Sequence, residues 1–105
     1  MKLFFKNVKC DVLFLIRRAG YGLERINGET GEYVFGRRFG GRQYPKFHIY
    51  ARKEGDDLTV NLHLDQKKPV YSGVSAHSGE YDGEVVEQEA GRVKILIDKA
   101  IRAKI

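Results

Sequence analysis

The sequence predicts a single α+β domain, with an antiparallel sheet packed on two helices in the order α-β-β-β(-β)-α. Three observations carry this: an amphipathic run at helical spacing early in the chain, a longer one at its end, and between them two runs in which apolar and polar residues alternate. With 105 residues there is room for one hydrophobic core, and no repeat or linker divides the chain, so residues 1–105 are read as one domain. A hydrophobic content of 42% beside 31% charged residues excludes a disordered tail, a collagen-like repeat and a disulfide-dense mini-protein.

The first helix is expected over residues 9–19, where Val12, Leu15, Ile16 and Ala19 form a stripe that Val8 extends back by a turn. Arg17 and Arg18 suit the negative end of its dipole, and Gly20 is placed to take the left-handed stop conformation. Leu13 and Phe14 lie off the stripe, which calls for a second covered side or an apolar flank used in association. Strand-like runs follow at 21–26 and 33–38, divided by Asn27-Gly28-Glu29-Thr30-Gly31. Asn-Gly predicts a hairpin because both residues accept positive φ. Residues 36–45, Gly-Arg-Arg-Phe-Gly-Gly-Arg-Gln-Tyr-Pro, read as a loop.

Runs at 46–53 and 58–65 alternate cleanly. Phe47, Ile49 and Ala51 share one face, as do Leu58, Val60, Leu62 and Leu64. If Gly55-Asp56 is a two-residue turn, Phe47 pairs with Leu64, Ile49 with Leu62 and Ala51 with Val60, so the apolar sets coincide. The opposite face then sets His48 beside His63, Tyr50 beside Asn61 and Arg52 beside Thr59. A loop two residues longer keeps the faces but moves His63 beside Tyr50 and Asp65 beside His48. Residues 66–83 have no periodicity, a long irregular stretch of the kind that carries function more often than it merely spaces elements. From Glu84 to about residue 103, Val86, Ala90, Val93, Ile97, Ala100 and Ile101 mark the second helix, with Asp82 as its N-cap, Glu84, Glu87 and Glu89 at its positive start, and Lys99, Arg102 and Lys104 at its end.

Charge is unevenly spread. Residues 1–53 hold twelve Lys/Arg against four Asp/Glu, and residues 54–105 hold seven against ten, giving the net +5. An electropositive first half collects polyanions, of which phosphate chains are the commonest in a cell. No apolar run approaches the roughly 20 residues of a membrane span, and Leu3, Phe4 and Phe5 are too short a block for a signal peptide. One cysteine, Cys10, makes neither an internal disulfide nor a multi-cysteine zinc site, so a reducing, cytoplasmic setting is expected, with Cys10 in a core or half-buried role.

Asp11-Val12, Leu15-Ile16-Arg17-Arg18-Ala19-Gly20-Tyr21, Leu23, Arg25 and Gly28 together resemble the opening of the HicA-type mRNA interferase family: a helix ending Lys/Arg-Lys/Arg-Ala-Gly-Phe/Tyr, then a strand bearing an Arg, then Gly. The resemblance covers about twenty residues. It implies a fold similar to a double-stranded-RNA-binding domain and RNA cleavage by a histidine of a Gly-Ser-His motif. Here Glu29-Thr30 stand where the family has Ser-His. Inserting roughly 18 residues brings Lys46-Phe47-His48-Ile49-Tyr50 into register with the family's His-x-Ile-Phe/Tyr strand and makes His48 the substitute.

The residues themselves point the same way. A histidine on a sheet face that meets RNA serves as general acid or base near neutral pH. His48 and His63 are therefore the candidate catalytic pair, with Tyr50 and Arg52 orienting or neutralising a phosphate; the bland alternative is a pair of solvated surface imidazoles. Arg37, Arg38 and Arg42 with Tyr44 interleave guanidinium groups, glycines and rings in a loop suited to phosphates and bases, and Lys46 adjoins it. The alternative there is a glycine loop with solvated arginines. No cofactor is expected. A metal held by His48, His63 and Asp65, with His77 reaching in, is a separate possibility, although no fixed-spacing zinc signature is present. The expected partner is RNA. The rival is a non-catalytic interaction module, a homodimer through the flank of the first helix or a binder of a small acidic protein.

Overall fold

In a computed structural model, which describes residues 1–38, 45–65, 79–80 and 83–103, the central alternation folds as the pairing arithmetic requires. Strands β4 (Lys46–Glu54) and β5 (Asp57–Asp65) pair antiparallel with Phe47 opposite Leu64, Ile49 opposite Leu62 and Ala51 opposite Val60. Gly55-Asp56 is the two-residue turn, with Gly55 at φ +60°. Strand β3 (Tyr33–Arg38) pairs with β4, and β2 (Gly22–Ile26) with β3.

Two further strands close the other edge. Strand β1 (Lys2–Phe5) pairs with residues 58–61 of β5, and β6 (Gly79–Glu80) with Leu64 and Asp65 beyond it, giving the order β1-β5-β4-β3-β2 with β6 alongside β5. Neither strand is predicted by the sequence. β1 shows only one full alternation, with Leu3 and Phe5 on the helix side, too little to distinguish from an apolar tail. β6 is two residues long and falls inside the stretch without periodicity.

Helices α1 (Val12–Arg18) and α2 (Glu84–Ala103) cover one face of the sheet. Val12, Leu15, Ile16 and Ala19 from α1 and its stop, and Val86, Ala90, Val93 and Ile97 from α2, join Phe35, Phe47, Ile49, Val60, Leu62 and Leu64 in one buried cluster. Each large aliphatic or aromatic side chain so buried contributes roughly 1.5–3 kcal/mol before conformational entropy is counted. The architecture is the α+β layout expected, with antiparallel strands on two helices. Among the described residues, no helix is long and apolar enough to cross a membrane.

Helix α1 starts three residues later than its stripe predicts. Asn7 takes a left-handed φ of +58° and Val8 donates its N–H to the Asp56 carbonyl at 2.8 Å, which turns the chain out of β1 and commits residues 7–11 to the bend. Val8 is nonetheless fully buried, and Cys10 packs half-buried against the core. At the other end Gly20, at φ +91°, donates to the Arg17 carbonyl and Tyr21 to that of Ile16, the paired bonds of a Schellman stop. Residues 27–32 join β2 and β3 as the expected hairpin, but the positive φ falls on Gly31 rather than on Asn27-Gly28, and Asn27 caps the loop by accepting from Glu29 N–H at 2.9 Å. Asp82, Lys104, His77 and most of residues 66–83 lie outside the described residues.

Candidate functional site on the polar sheet face

Cross-strand partners share a face, so the register fixes what lies opposite the helices. One row runs Gly36, His48, His63; the next runs Arg25, Val34, Tyr50, Asn61, Lys2; beside these, Arg38 stands by Lys46 and Asp65, and Arg52 by Thr59 and Phe4. Of the residues singled out from sequence, His48, His63, Arg38, Lys46, Tyr50 and Arg52 therefore meet on one surface. Arg42 and Tyr44 lie outside the described residues.

Arg37 does not join them. Because β3 runs regularly through Arg38, neighbouring arginines must point to opposite faces. Arg37 stands opposite Phe47 on the helix side and donates from its guanidinium to Glu89 at 3.4 Å. The expectation that Arg37 and Arg38 act together in an arginine loop is corrected accordingly.

Three rings form the centre of the polar face. Tyr50 stacks on His63 with centroids 5.0 Å apart, and His48 lies 5.5 Å from His63. His63 is only 5% exposed, so the expected pair of outward imidazoles is one rim residue, His48, and one buried one. Burial holds the His63 pKa below the ordinary histidine range, outweighing the attraction of Asp65, and His48 lowers it further. The buried ring is neutral near pH 7.

Carboxylates hold both imidazoles. Asp65 contacts His48 Nδ1 and lies 3.3 Å from His63 Nε2, while Glu24 Oε1 lies 3.0 Å from His48 Nε2. A carboxylate only accepts, so both His48 contacts are hydrogen bonds only when the ring carries two protons; a neutral ring makes one of them.

Glu24 is the residue that sequence reasoning missed. β2 pairs Leu23 with Phe35 but Arg25 with Val34, leaving Glu24 as the extra residue of a bulge, and a bulge re-aims its side chain. The carboxylate crosses the sheet above Gly36 to pair with Lys46, and a Cβ at Gly36 would collide with both side chains. Burial pushes the Glu24 pKa up, but hydrogen bonds from Lys46 and His48 prevail and hold it below the usual carboxyl range. No local periodicity marks a bulge; the glycine in mid-strand is the available signal.

A second polar cluster sits beneath the sheet. Glu89 on α2, 6% exposed, accepts from Tyr21 Oη at 2.5 Å and from two Arg92 nitrogens at 2.8 Å, and Arg92 also donates to the Ala19 carbonyl at 2.6 Å. Burial alone would raise the Glu89 pKa; the Arg92 and Tyr21 hydrogen bonds bring it below the ordinary value. Both Glu89 oxygens and the Tyr21 hydroxyl are bonded within the fold, so the cluster ties α2 to the end of α1.

On the polar face, by contrast, an imidazole lies at the rim between two carboxylates, Asp65 on Nδ1 and Glu24 on Nε2, so the carboxylate that keeps the proton of the neutral ring decides which nitrogen can take up another. Comparison of the chain with protein-family models, with curated proteins and with solved structures finds no match.

Proposed function

We propose that the polar sheet face binds RNA and that His48, oriented by Asp65, is its acid–base group. The observation carrying this reading is the clustering of exposed Lys2, Arg25, Arg38 and Arg52 around the Tyr50–His63–His48 rings, on the side of the sheet that the helices leave open. Guanidinium groups pair bidentately with phosphates, and Tyr50 and the 66%-exposed Phe4 offer ring faces to bases. The reading agrees with the RNA-directed activity that the resemblance of residues 11–28 implies.

Cleavage follows the metal-free path. His48 Nε2, once Glu24 yields it, takes the proton of a ribose 2′-hydroxyl; that oxygen bonds to the adjacent phosphorus as the bond to the 5′-oxygen breaks, the leaving 5′-oxygen takes its proton from water, and His48 returns to water the proton it removed. His63 acts as a positioning residue through Asp65 and the Tyr50 stack, without touching substrate.

Anisotropy titration of a labelled single-stranded RNA at 50 and 200 mM salt tests the binding. Arg38→Ala with Arg52→Ala should weaken every sequence alike and flatten the salt slope by about 0.7 for each phosphate no longer neutralised, while Lys94→Ala on α2 changes nothing. Absence of binding at low salt would sink the reading. His48→Ala should abolish cleavage and keep binding. The interaction-module alternative would use the α1 flank, but Leu13 and Phe14 are part-buried against the core, with the Arg18 guanidinium 5.7 Å over the Phe14 ring. Light scattering without nucleic acid checks it.

A further inference from the structure

We propose that His48, His63 and Asp65 form a binding site for a divalent transition-metal ion of the zinc type, with Glu24 as the outer carboxylate that orients His48. The inference goes beyond RNA binding and stands whether or not the face meets RNA.

Geometry carries it. One ligand atom from each of the three side chains lies within 4.8 Å of the other two. Tetrahedral zinc with bonds of about 2.0–2.1 Å needs ligand atoms roughly 3.3 Å apart, and His63 Nε2 already stands 3.3 Å from Asp65 Oδ1. His48 presents Nδ1 to the same carboxylate. The two histidines are direct cross-strand partners, and Tyr50 stacks on His63, so the donors are held by the sheet.

The outer shell fits as well. His48 Nε2 faces Glu24 at 3.0 Å, and a proton kept there leaves Nδ1 bare and aimed at the metal position. Lys46 in turn holds Glu24. A carboxylate–histidine–metal chain of this kind fixes the tautomer and strengthens the ligand. Two imidazoles with one carboxylate favour zinc and its neighbours over magnesium or calcium, which prefer all-oxygen sets. Three protein ligands leave a fourth position for water or a phosphodiester oxygen. Occupancy would take Nδ1 and Asp65 out of the acid–base arrangement, so ion binding and metal-free cleavage by His48 are alternative states of one site.

The test uses the full chain without a histidine tag, stripped with a chelator and titrated with Zn²⁺ against a chromophoric competitor in the absence of RNA. One equivalent should bind. Asp65→Asn and His48→Gln should each weaken binding by about 100-fold or more, and Glu24→Gln by about 10–100-fold. Circular dichroism confirms folding of each variant. His63→Gln replaces a buried ring, so Asp65→Asn and His48→Gln, at partly exposed side chains, decide the matter. No stoichiometric uptake at micromolar zinc, or uptake undiminished in those two variants, would overturn the site. Zinc failure with RNA binding intact removes this inference alone; RNA failure with zinc bound removes only the RNA reading.

Discussion

The Tyr21 hydroxyl lies 2.5 Å from a carboxylate oxygen of Glu89, joining the residue that closes the α1 stop to the second turn of α2 across 68 positions. Helix α2 meets the sheet through an apolar stripe that fixes its distance but leaves rotation and sliding inexpensive. A directional bond from a buried carboxylate restricts both. Glu89→Gln leaves Arg92 and Arg37 without their counter-charge; with those two side chains about a third exposed, the expected loss is about 2–3 kcal/mol. Tyr21→Phe removes one hydrogen bond and keeps the ion pairs, so about 1 kcal/mol is expected. Urea denaturation of both variants checks the order.

The same cluster sets a pH window. The folded Glu89 pKa lies below its ordinary value of 4.5, so the unfolded chain takes up the proton first on acidification. The stabilisation from Glu89 is therefore complete above about pH 4.5 and is lost as pH falls through the folded pKa. Tyr21 runs the other way: burial and then the Glu89 bond raise its pKa above 10.0, so its contribution is complete below pH 10 and lost above it. Stability of the wild type should fall at both ends, and Glu89→Gln should flatten the acid limb. An acid limb unchanged in that variant would remove Glu89 as its cause.

What is legible in the sequence follows from periodicity. The β4–β5 register needs only alternation and a two-residue turn, and both are local; the pairing of His48 with His63 follows from it. Arg37 is misplaced because reading residues 36–45 as loop discards parity, and in a strand parity alone decides the face. Glu89 looks like a helix-start charge, yet it sits three residues after Val86 and four before Val93, inside the apolar stripe, and a carboxylate there must be buried with partners. That signal is present in the chain. Glu24 has none of this kind, since a bulge is a departure from period, and its meeting with Lys46 and His48 depends on two long-range strand pairings.

Gly36 tests the link between the bulge and the site. A side chain at this position must displace the ends of Glu24 and Lys46, which are flexible, so the fold should survive. Gly36→Val should drive the Glu24 carboxylate off His48 Nε2 and shift the His48 ring-nitrogen resonances in a ¹⁵N spectrum. Loss of the pair and crowding together should cost about 1–2 kcal/mol. Unchanged His48 resonances in a folded variant would show that Glu24 does not need the glycine.

Two further glycines should answer the same substitution with opposite signs. Gly91 lies inside α2, faces solvent, and a Cβ built there meets nothing within 4 Å. Alanine restricts the unfolded chain and suits a helix, so Gly91→Ala should stabilise by about 0.5–1 kcal/mol and raise Tm by about 3–6 °C. Gly55 also has open space around it, but its φ is +60°. There the Cβ crowds the chain's own carbonyl, so Gly55→Ala should destabilise by about 1 kcal/mol despite the empty surroundings. Thermal melts of the two variants read the contrast directly. Shifts of the same sign would mean that backbone conformation at the β4–β5 turn does not govern the outcome, and with it that the two-residue turn setting His48 opposite His63 is not the one the folded chain uses.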